Sequence, residues 1–147
     1  MKARQLRTET VLDAPPEAVW AVLADFASWD DWNPTLIRTS GPPVVGTEVR
    51  MRLRLGRALV PMRQQILEVD PPRRLAWRSR QAWPAALDVH RHFVLEPVEG
   101  GRTRFVQYED TAGFAGPVEV ALLGKLIVRG YDDLARALGQ RAAGWAA

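Results

Sequence analysis

The chain has 147 residues, of which 47% are hydrophobic and 25% are charged, and its formal net charge at pH 7 is +3. That length predicts a single domain over residues 1–147, because domains commonly have about 100 to 150 residues. The composition excludes a disordered chain, and no stretch reaches the roughly 18 apolar residues of a membrane-spanning helix. Cysteine is absent, which excludes disulfides and thiolate metal sites. No apolar run follows Met1–Arg7, so we expect a cytoplasmic location.

Arginine supplies 18 of the 20 basic residues, which raises the question of nucleic-acid binding. The arginines are spread from Arg4 to Arg141 without a dense basic run, and no helix-turn-helix, zinc-finger or aromatic RNA-binding motif accompanies them. Phosphate binding normally needs cations clustered on one face. We therefore expect a solvated basic surface and no specific nucleic-acid partner.

The chain begins with a predicted strand and two short helical segments. Residues Leu6–Leu12 place alternate side chains on opposite faces, as a strand does. A Pro-Pro-Glu sequence then starts a helix that is predicted to run to about Asp25. Its apolar residues have the spacing of one buried stripe: Val19, Val22, Leu23 and Phe26. Trp29 and Trp32 form a second helical turn that Pro34 must end, because proline disfavours a helical conformation in the residue before it.

The middle of the chain predicts an antiparallel sheet. The segment from Thr47 alternates apolar residues with arginines, which indicates one buried face and one face in water. The residues expected inside are Val49, Met51 and Leu53, and those expected in solvent are Arg50, Arg52 and Arg54. Further strands are predicted at Val60–Val69, at Leu75–Ser79, at Leu87–Val98 and at Arg102–Thr111, the last two joined by a hairpin at two glycines.

The last predicted element is a long helix from Pro117 to about Ala142. Its stripe of buried residues is Leu123, Ile127, Tyr131, Leu134 and Leu138. Two helices and six strands define the fold class as α+β, with an antiparallel sheet curled around the C-terminal helix and the first helical pair closing one end.

Several segments together resemble the helix-grip fold of the SRPBCC superfamily. They are Pro16–Trp20, Trp29–Pro34, Val69–Trp77, Phe93–Pro97, Gly101–Phe105 and Gly130–Leu138. The superfamily includes START-like lipid carriers, polyketide cyclases and dehydrases, and plant pathogenesis-related proteins. The resemblance implies a curved sheet of about six strands around the C-terminal helix, enclosing an elongated, mainly apolar cavity. It does not specify the ligand, because this scaffold carries several unrelated functions.

The C-terminal hairpin carries the candidate polar site. If Phe105 points inward, the pleat also sends Gln107 and Glu109 inward. A register with Leu95 opposite Phe105 places Arg91 opposite Glu109. We therefore expect Arg91 and Glu109 to lie near enough to share a hydrogen bond, with Gln107 beside them. Such a pair could orient a ligand oxygen, could be a structural ion pair, or could let Glu109 act as a general base if burial raises its pKa.

Apolar candidates for ligand binding come from several elements. Aromatic and sulfur-containing side chains could line a pocket for a flat or aliphatic ligand, or could simply fill the core. The candidates are Trp32, Met51, Trp77, Phe93, Phe105 and Phe114. Trp83, which precedes Pro84 in a loop, is a candidate for the cavity entrance.

The two histidines of the chain, His90 and His92, alternate on the strand face opposite Phe93. A metal site needs more ligands than two imidazoles, and the chain has no third histidine and no cysteine. Asp88 would have to be the third ligand, in a site that faces solvent. We interpret the two histidines as a surface pair and predict no metal site.

Three functional hypotheses follow. In the first, the protein binds or transports a hydrophobic small molecule such as a lipid, polyketide or isoprenoid-like compound, with Arg91, Gln107 and Glu109 as the polar points of the cavity. In the second, it is an enzyme of the polyketide cyclase or dehydrase kind, in which the same groups polarise a carbonyl and move a proton. In the third, exposed arginines meet an acidic partner or a membrane surface. No cofactor and no integral membrane association are expected, and the sequence carries no signal for the oligomeric state.

Overall fold

The computed structural model describes residues 4–79 and 87–146. Within those ranges, seven antiparallel strands form one sheet in the order β1-β7-β6-β5-β4-β3-β2. The elements in chain order are β1 (Arg4–Leu12), α1 (Pro16–Leu23), a short 3₁₀ helix (Phe26–Ser28), α2 (Trp29–Trp32), β2 (Leu36–Ile37), β3 (Glu48–Leu55), β4 (Ala58–Asp70), β5 (Arg74–Ser79), β6 (Asp88–Val98), β7 (Arg102–Ala112) and α3 (Gly116–Ala146).

The predicted fold class is confirmed: a curled antiparallel sheet holds one long C-terminal helix, and short helices follow the first strand. The sheet has one strand more than the six predicted, because the two-residue strand β2 is too short to produce a detectable period. Helix α1 ends at Leu23 rather than at about Asp25, and Phe26 reaches the core from the 3₁₀ helix instead. Helix α3 continues past the predicted end at Ala142 to Ala146.

The arginine-rich strand β3 has the predicted orientation. Val49 and Met51 are buried, whereas Arg50 and Arg54 are exposed; Arg52 and Leu53 are half-buried. Since strand side chains alternate between faces, this pattern fixes the register of β3 against the core.

Helix α3 divides into two parts that meet the sheet differently. The C-terminal part packs closely, with Leu134, Leu138 and Ala142 fully buried and the helix in contact with β1 and α1. A Cβ atom on Gly139 would lie 3.0 Å from Leu12, so the missing side chain lets the helix approach β1. In the N-terminal part, Gly124 is buried against Leu6 of β1, but the stripe residues Leu123 and Ile127 are only half-buried. None of the described helices is long and apolar enough to span a bilayer.

Truncating Leu134 to alanine tests the close packing of the C-terminal part. Leu134 is fully buried in the core, so Leu134→Ala should lower the free energy of unfolding by about 2 to 5 kcal/mol. Leu122→Ala on the same helix is the control, because Leu122 is 76% exposed; its effect should stay within about 0.5 kcal/mol. Urea denaturation measures both, and equal effects of the two changes would contradict this packing.

Candidate functional site

A cavity lies between the N-terminal part of α3 and strands β2 to β7, with a volume of about 200 Å³. Apolar side chains make up most of its wall: Leu36, Leu53, Leu55, Val60, Met62, Trp77, Leu87, Val89, Leu123, Leu126 and Ile127. Polar side chains also border it: Thr35, Arg54, Gln64, Ser79, Arg91, Glu109, Glu119 and Tyr131. An apolar wall with a few polar groups is the usual composition of a small-molecule site.

The turn after α2 and the aromatic residues beside it shape one wall of the cavity. The Asn33 side-chain oxygen accepts hydrogen bonds from the backbone N–H groups of Thr35, at 3.0 Å, and Leu36, at 2.9 Å. These bonds direct the chain into β2 and bring Thr35 and Leu36 to the cavity. The Trp29 indole N–H donates to the Leu23 carbonyl at 3.0 Å, and the Trp29 ring lies 6.2 Å from the ring of Trp77.

A chain of buried hydrogen bonds joins the sheet to α3 at the polar end of the cavity. Arg91 Nη2 donates to Gln107 Oε1 at 2.8 Å, and Gln107 Nε2 donates to the backbone carbonyl of Tyr131 at 2.8 Å. The Tyr131 hydroxyl donates to Glu109 Oε2 at 2.6 Å, and the Thr111 hydroxyl donates to Glu109 Oε1 at 3.3 Å. Each of the two charged side chains is therefore held by neutral partners.

The direct hydrogen bond predicted between Arg91 and Glu109 is not formed. Their register is as predicted, since Arg91 lies opposite Glu109 and Leu95 opposite Phe105. The guanidinium instead lies over the rings of Tyr131, 4.3 Å from the centroid, and Phe93, 4.7 Å from the centroid. The Tyr131 hydroxyl meets Glu109, while cation–π contacts and Gln107 hold Arg91.

Burial alters the acid–base properties of this cluster. It lowers the pKa of Arg91, an effect that Tyr131 and then Glu109 oppose. It raises the pKa of Tyr131 well above its usual value; the positive charge of Arg91 opposes this rise and Glu109 adds to it. The phenol therefore stays protonated near neutral pH and acts as the donor to Glu109.

Glu119, in the first turn of α3, is a site residue that the sequence prediction missed. It lines the cavity, and its Oε2 atom is buried without a hydrogen-bond partner in the part of the chain that the structure describes. Burial, next the negative charge of Glu109, and then a side-chain hydrogen bond with Glu109 raise the pKa of Glu119 from 4.5 to about 7. A carboxyl group with such a pKa can either give or take a proton at neutral pH. The available signal was its spacing, because Glu119 precedes Leu123 and Ile127 on the stripe predicted to be apolar.

The aromatic and apolar candidates divide into wall residues and core residues. Trp77 lines the cavity, as do Arg91 and Glu109. Phe93 and Phe105 are fully buried further along their strands, with ring centroids 6.2 Å apart, in the same core cluster as Leu134. Gln107 is bound to two of the residues on the cavity wall, because it accepts a hydrogen bond from Arg91 and donates one to the Tyr131 carbonyl.

Three further candidates lie away from the cavity wall. Met51 is buried in the core, and its cross-strand partner Met62 lines the cavity instead. Trp32 packs against the edge of the core and donates from its indole to the Ser28 hydroxyl at 3.3 Å. Phe114 is 64% exposed because strand β7 ends at Ala112, and Gly113, with φ of 98°, turns the chain away from the sheet. Trp83 lies outside the described residues.

The histidine pair lies on the outer face of the sheet, as predicted. The His92 ring stacks on Tyr108 with 4.3 Å between centroids, and Arg74 donates to the Tyr108 hydroxyl at 2.6 Å. Burial, and next the positive charge of Arg74, lower the pKa of His92. Among residues 4–79 and 87–146, no group of three or more acidic or histidine side chains is arranged to hold a metal ion.

The curled sheet, the long helix that closes it and the apolar cavity between them define a helix-grip protein. A family model described as polyketide cyclase/dehydrase and lipid transport matches residues 3–143, and the chain belongs to this family. No curated protein matches the chain.

Solved structures share the fold at low sequence identity. The Zhui aromatase/cyclase from Streptomyces sp. R1128 superposes with a TM-score of 0.79 at 18% identity, over 96% of this chain and 94% of that one. A START superfamily protein from Mycobacterium smegmatis gives 0.76 at 15% identity, over 95% and 97% of the two chains. Norcoclaurine synthase from Thalictrum flavum, solved with dopamine and hydroxybenzaldehyde, gives 0.73 at 15% identity, over 94% and 85%. At these identities the likeness shows the fold alone.

Because the pKa of Glu119 is raised, the free energy of unfolding should depend on pH through this residue. The folded state binds this proton more tightly than the unfolded state does, so the contribution of Glu119 to the unfolding free energy should fall as pH rises from 4.5 to about 7. Glu119→Gln should remove that part of the pH dependence, whereas Glu48→Gln, at an exposed position of β3, controls for the loss of a carboxylate. Urea denaturation between pH 4 and 8 measures the difference; identical pH profiles for wild type and Glu119→Gln would contradict the assignment.

Proposed function

We propose that the protein binds a hydrophobic small molecule, such as a lipid, polyketide or isoprenoid-like compound, in the cavity beneath α3. The observation that carries this proposal is the apolar wall of a cavity of about 200 Å³, interrupted on one side by Arg91, Glu109 and Glu119. Membership of a family described by ring cyclisation, dehydration and lipid transport supports the same class of ligand. A single domain and a cytoplasmic location stay predictions of the sequence.

The geometry favours a compact ligand with one polar group. Sites for drug-sized molecules have volumes of about 300 to 1,000 Å³, and this cavity is smaller, at about 200 Å³. The apolar part of the ligand would lie against Trp77 and the aliphatic wall, and its polar group would point towards Glu119, whose buried Oε2 accepts no hydrogen bond from the described residues. Arg91 and Glu109 would bound the same end, and Gln107 would position Arg91. Phe93 and Phe105 would contribute by holding Trp77 and Arg91 in place.

Filling the cavity tests the proposal. Leu123→Trp places an indole where Leu123 lines the cavity, and should weaken binding of the neutral probe N-phenyl-1-naphthylamine by about tenfold or more, or about 1.4 kcal/mol. Leu122→Trp, one residue earlier on the exposed side of α3, is the matched control and should change the affinity by less than about twofold. Fluorescence titration measures both. Undiminished probe binding by a folded Leu123→Trp protein would contradict the proposed location of the ligand.

A second candidate function is proton transfer on the bound ligand, as in a cyclase or dehydrase. The observation that favours it is the pKa of about 7 at Glu119, a carboxyl on the cavity wall beside Glu109. Glu109 itself is less accessible to a ligand, because Tyr131 and Thr111 already donate hydrogen bonds to its two oxygens. Glu119 would exchange the proton, and Arg91 would favour negative charge developing on the ligand.

Glu119→Gln distinguishes binding from catalysis once a ligand is known. The amide keeps the size of the side chain but cannot exchange the proton, so turnover should fall by about 10² to 10⁴ while the ligand affinity changes modestly. Glu48→Gln, exposed on β3, is the control. Turnover that survives in Glu119→Gln would remove this residue from the chemistry, and the absence of turnover in the wild type with a bound ligand would favour a carrier.

A further inference from the structure

The N-terminal part of α3 carries an exposed apolar face beside the cavity. Val118 is 56% exposed, Leu122 is 76% exposed and Leu126 is 37% exposed. These residues are four apart, so they lie one above another on one side of the helix. Phe114, 64% exposed, comes just before the helix begins at Gly116. Isolated apolar residues are normal on a protein surface, but a row along one helix face indicates an interaction.

Two cations share this apolar face. Lys125 and Arg129 are exposed, and their spacing from Leu122 and Leu126 puts them on the same side of the helix. Glu119 is the single acidic residue between Phe114 and Gly130, and it lines the cavity. The next acid on this side, Asp133, lies one turn beyond Arg129 and contacts Arg136 at 3.8 Å. An apolar row with cations and no exposed acid among its residues is complementary to an anionic lipid surface.

The same turns of α3 also form part of the cavity wall. Leu123 and Ile127 line the cavity, and Leu126 belongs both to its wall and to the exposed face. A partner surface that contacts this face is therefore separated from the cavity only by helix α3. This part of α3 also packs less closely than the part around Leu134, since Leu123 and Ile127 are only half-buried.

We propose that this face, formed by Val118, Leu122, Lys125, Leu126 and Arg129, docks on the surface of an anionic lipid bilayer. The proposal rests on the proposed function, because docking there brings the cavity wall to the membrane from which a hydrophobic ligand is taken or to which it is delivered. A second copy of the chain is a poorer occupant. A twofold contact would place the cations of one face against those of its copy, without an exposed acid among the face residues to pair with them.

Vesicle sedimentation tests the docking. Wild-type protein should sediment with phosphatidylcholine vesicles that contain phosphatidylserine, and much less with phosphatidylcholine alone. Leu122→Gln and the double change Lys125→Glu with Arg129→Glu should each weaken the partition onto the anionic vesicles by about tenfold. The control is Arg50→Glu with Arg63→Glu, which removes the same charge from two exposed, cross-strand residues of the sheet; it should bind vesicles like the wild type.

Several results would overturn the proposal. They are a wild type that does not sediment with anionic vesicles, face variants that sediment unchanged, and a sheet control that loses as much binding as the face variants do. A wild-type dimer that Leu122→Gln dissociates, without vesicle binding, would assign the face to self-association instead. Titration with N-phenyl-1-naphthylamine separates this failure from that of the proposed function: Leu122→Gln should bind the probe normally, whereas a wild type that binds none would contradict the cavity site itself.

Discussion

The hydrogen bond from the Tyr131 hydroxyl to Glu109 marks the point on which the architecture of the site depends. On its C-terminal side, Leu134 and Leu138 are fully buried and α3 packs directly on the sheet. On its N-terminal side, Leu123 and Ile127 are half-buried over a cavity. The C-terminal part of α3 therefore packs into the core, and its N-terminal part covers the cavity. The Tyr131–Glu109 hydrogen bond lies where these two parts meet, and it is needed there because a buried carboxylate without a donor would be energetically costly.

The same contact determines the chemistry that the cavity can offer. With Glu109 held by Tyr131, the guanidinium of Arg91 is held by Gln107 and two aromatic rings, and neither charge depends on an ion pair with the other. Glu119 is left as a carboxyl whose buried Oε2 has no hydrogen-bond partner among residues 4–79 and 87–146. Its negative form is disfavoured by burial and by the charge of Glu109, so its proton is exchangeable near neutral pH. A ligand group at this end of the cavity can therefore meet either a donor or an acceptor.

The sequence predicted the sheet well because the pleat has a strict period of two. Alternation identified the inner faces of β3, β6 and β7, and the register assumed for the hairpin, with Leu95 opposite Phe105, is the one observed, which sets Arg91 opposite Glu109. Periodicity could not reveal that the Tyr131 side chain takes the hydrogen-bonding site on Glu109, because it specifies a face but not how far a long side chain reaches. Glu119 was missed because the predicted stripe began at Leu123, although Glu119 lies four residues before it on the same side of the helix. Phe114 was a lining candidate only as an aromatic residue in the segment before α3, and its exposure follows from the turn of the chain at Gly113, which residue type alone does not reveal.

Native mass spectrometry of the protein as purified shows whether the cavity beneath α3 holds a hydrophobic small molecule. We expect a mass excess from a copurified apolar compound that dissociates on activation in the gas phase. That excess should be lost when Leu123→Trp fills the cavity and kept in Leu122→Trp, where the indole lies on the exposed side of the helix. A copurified compound retained equally by both variants would place the binding site elsewhere and contradict the account.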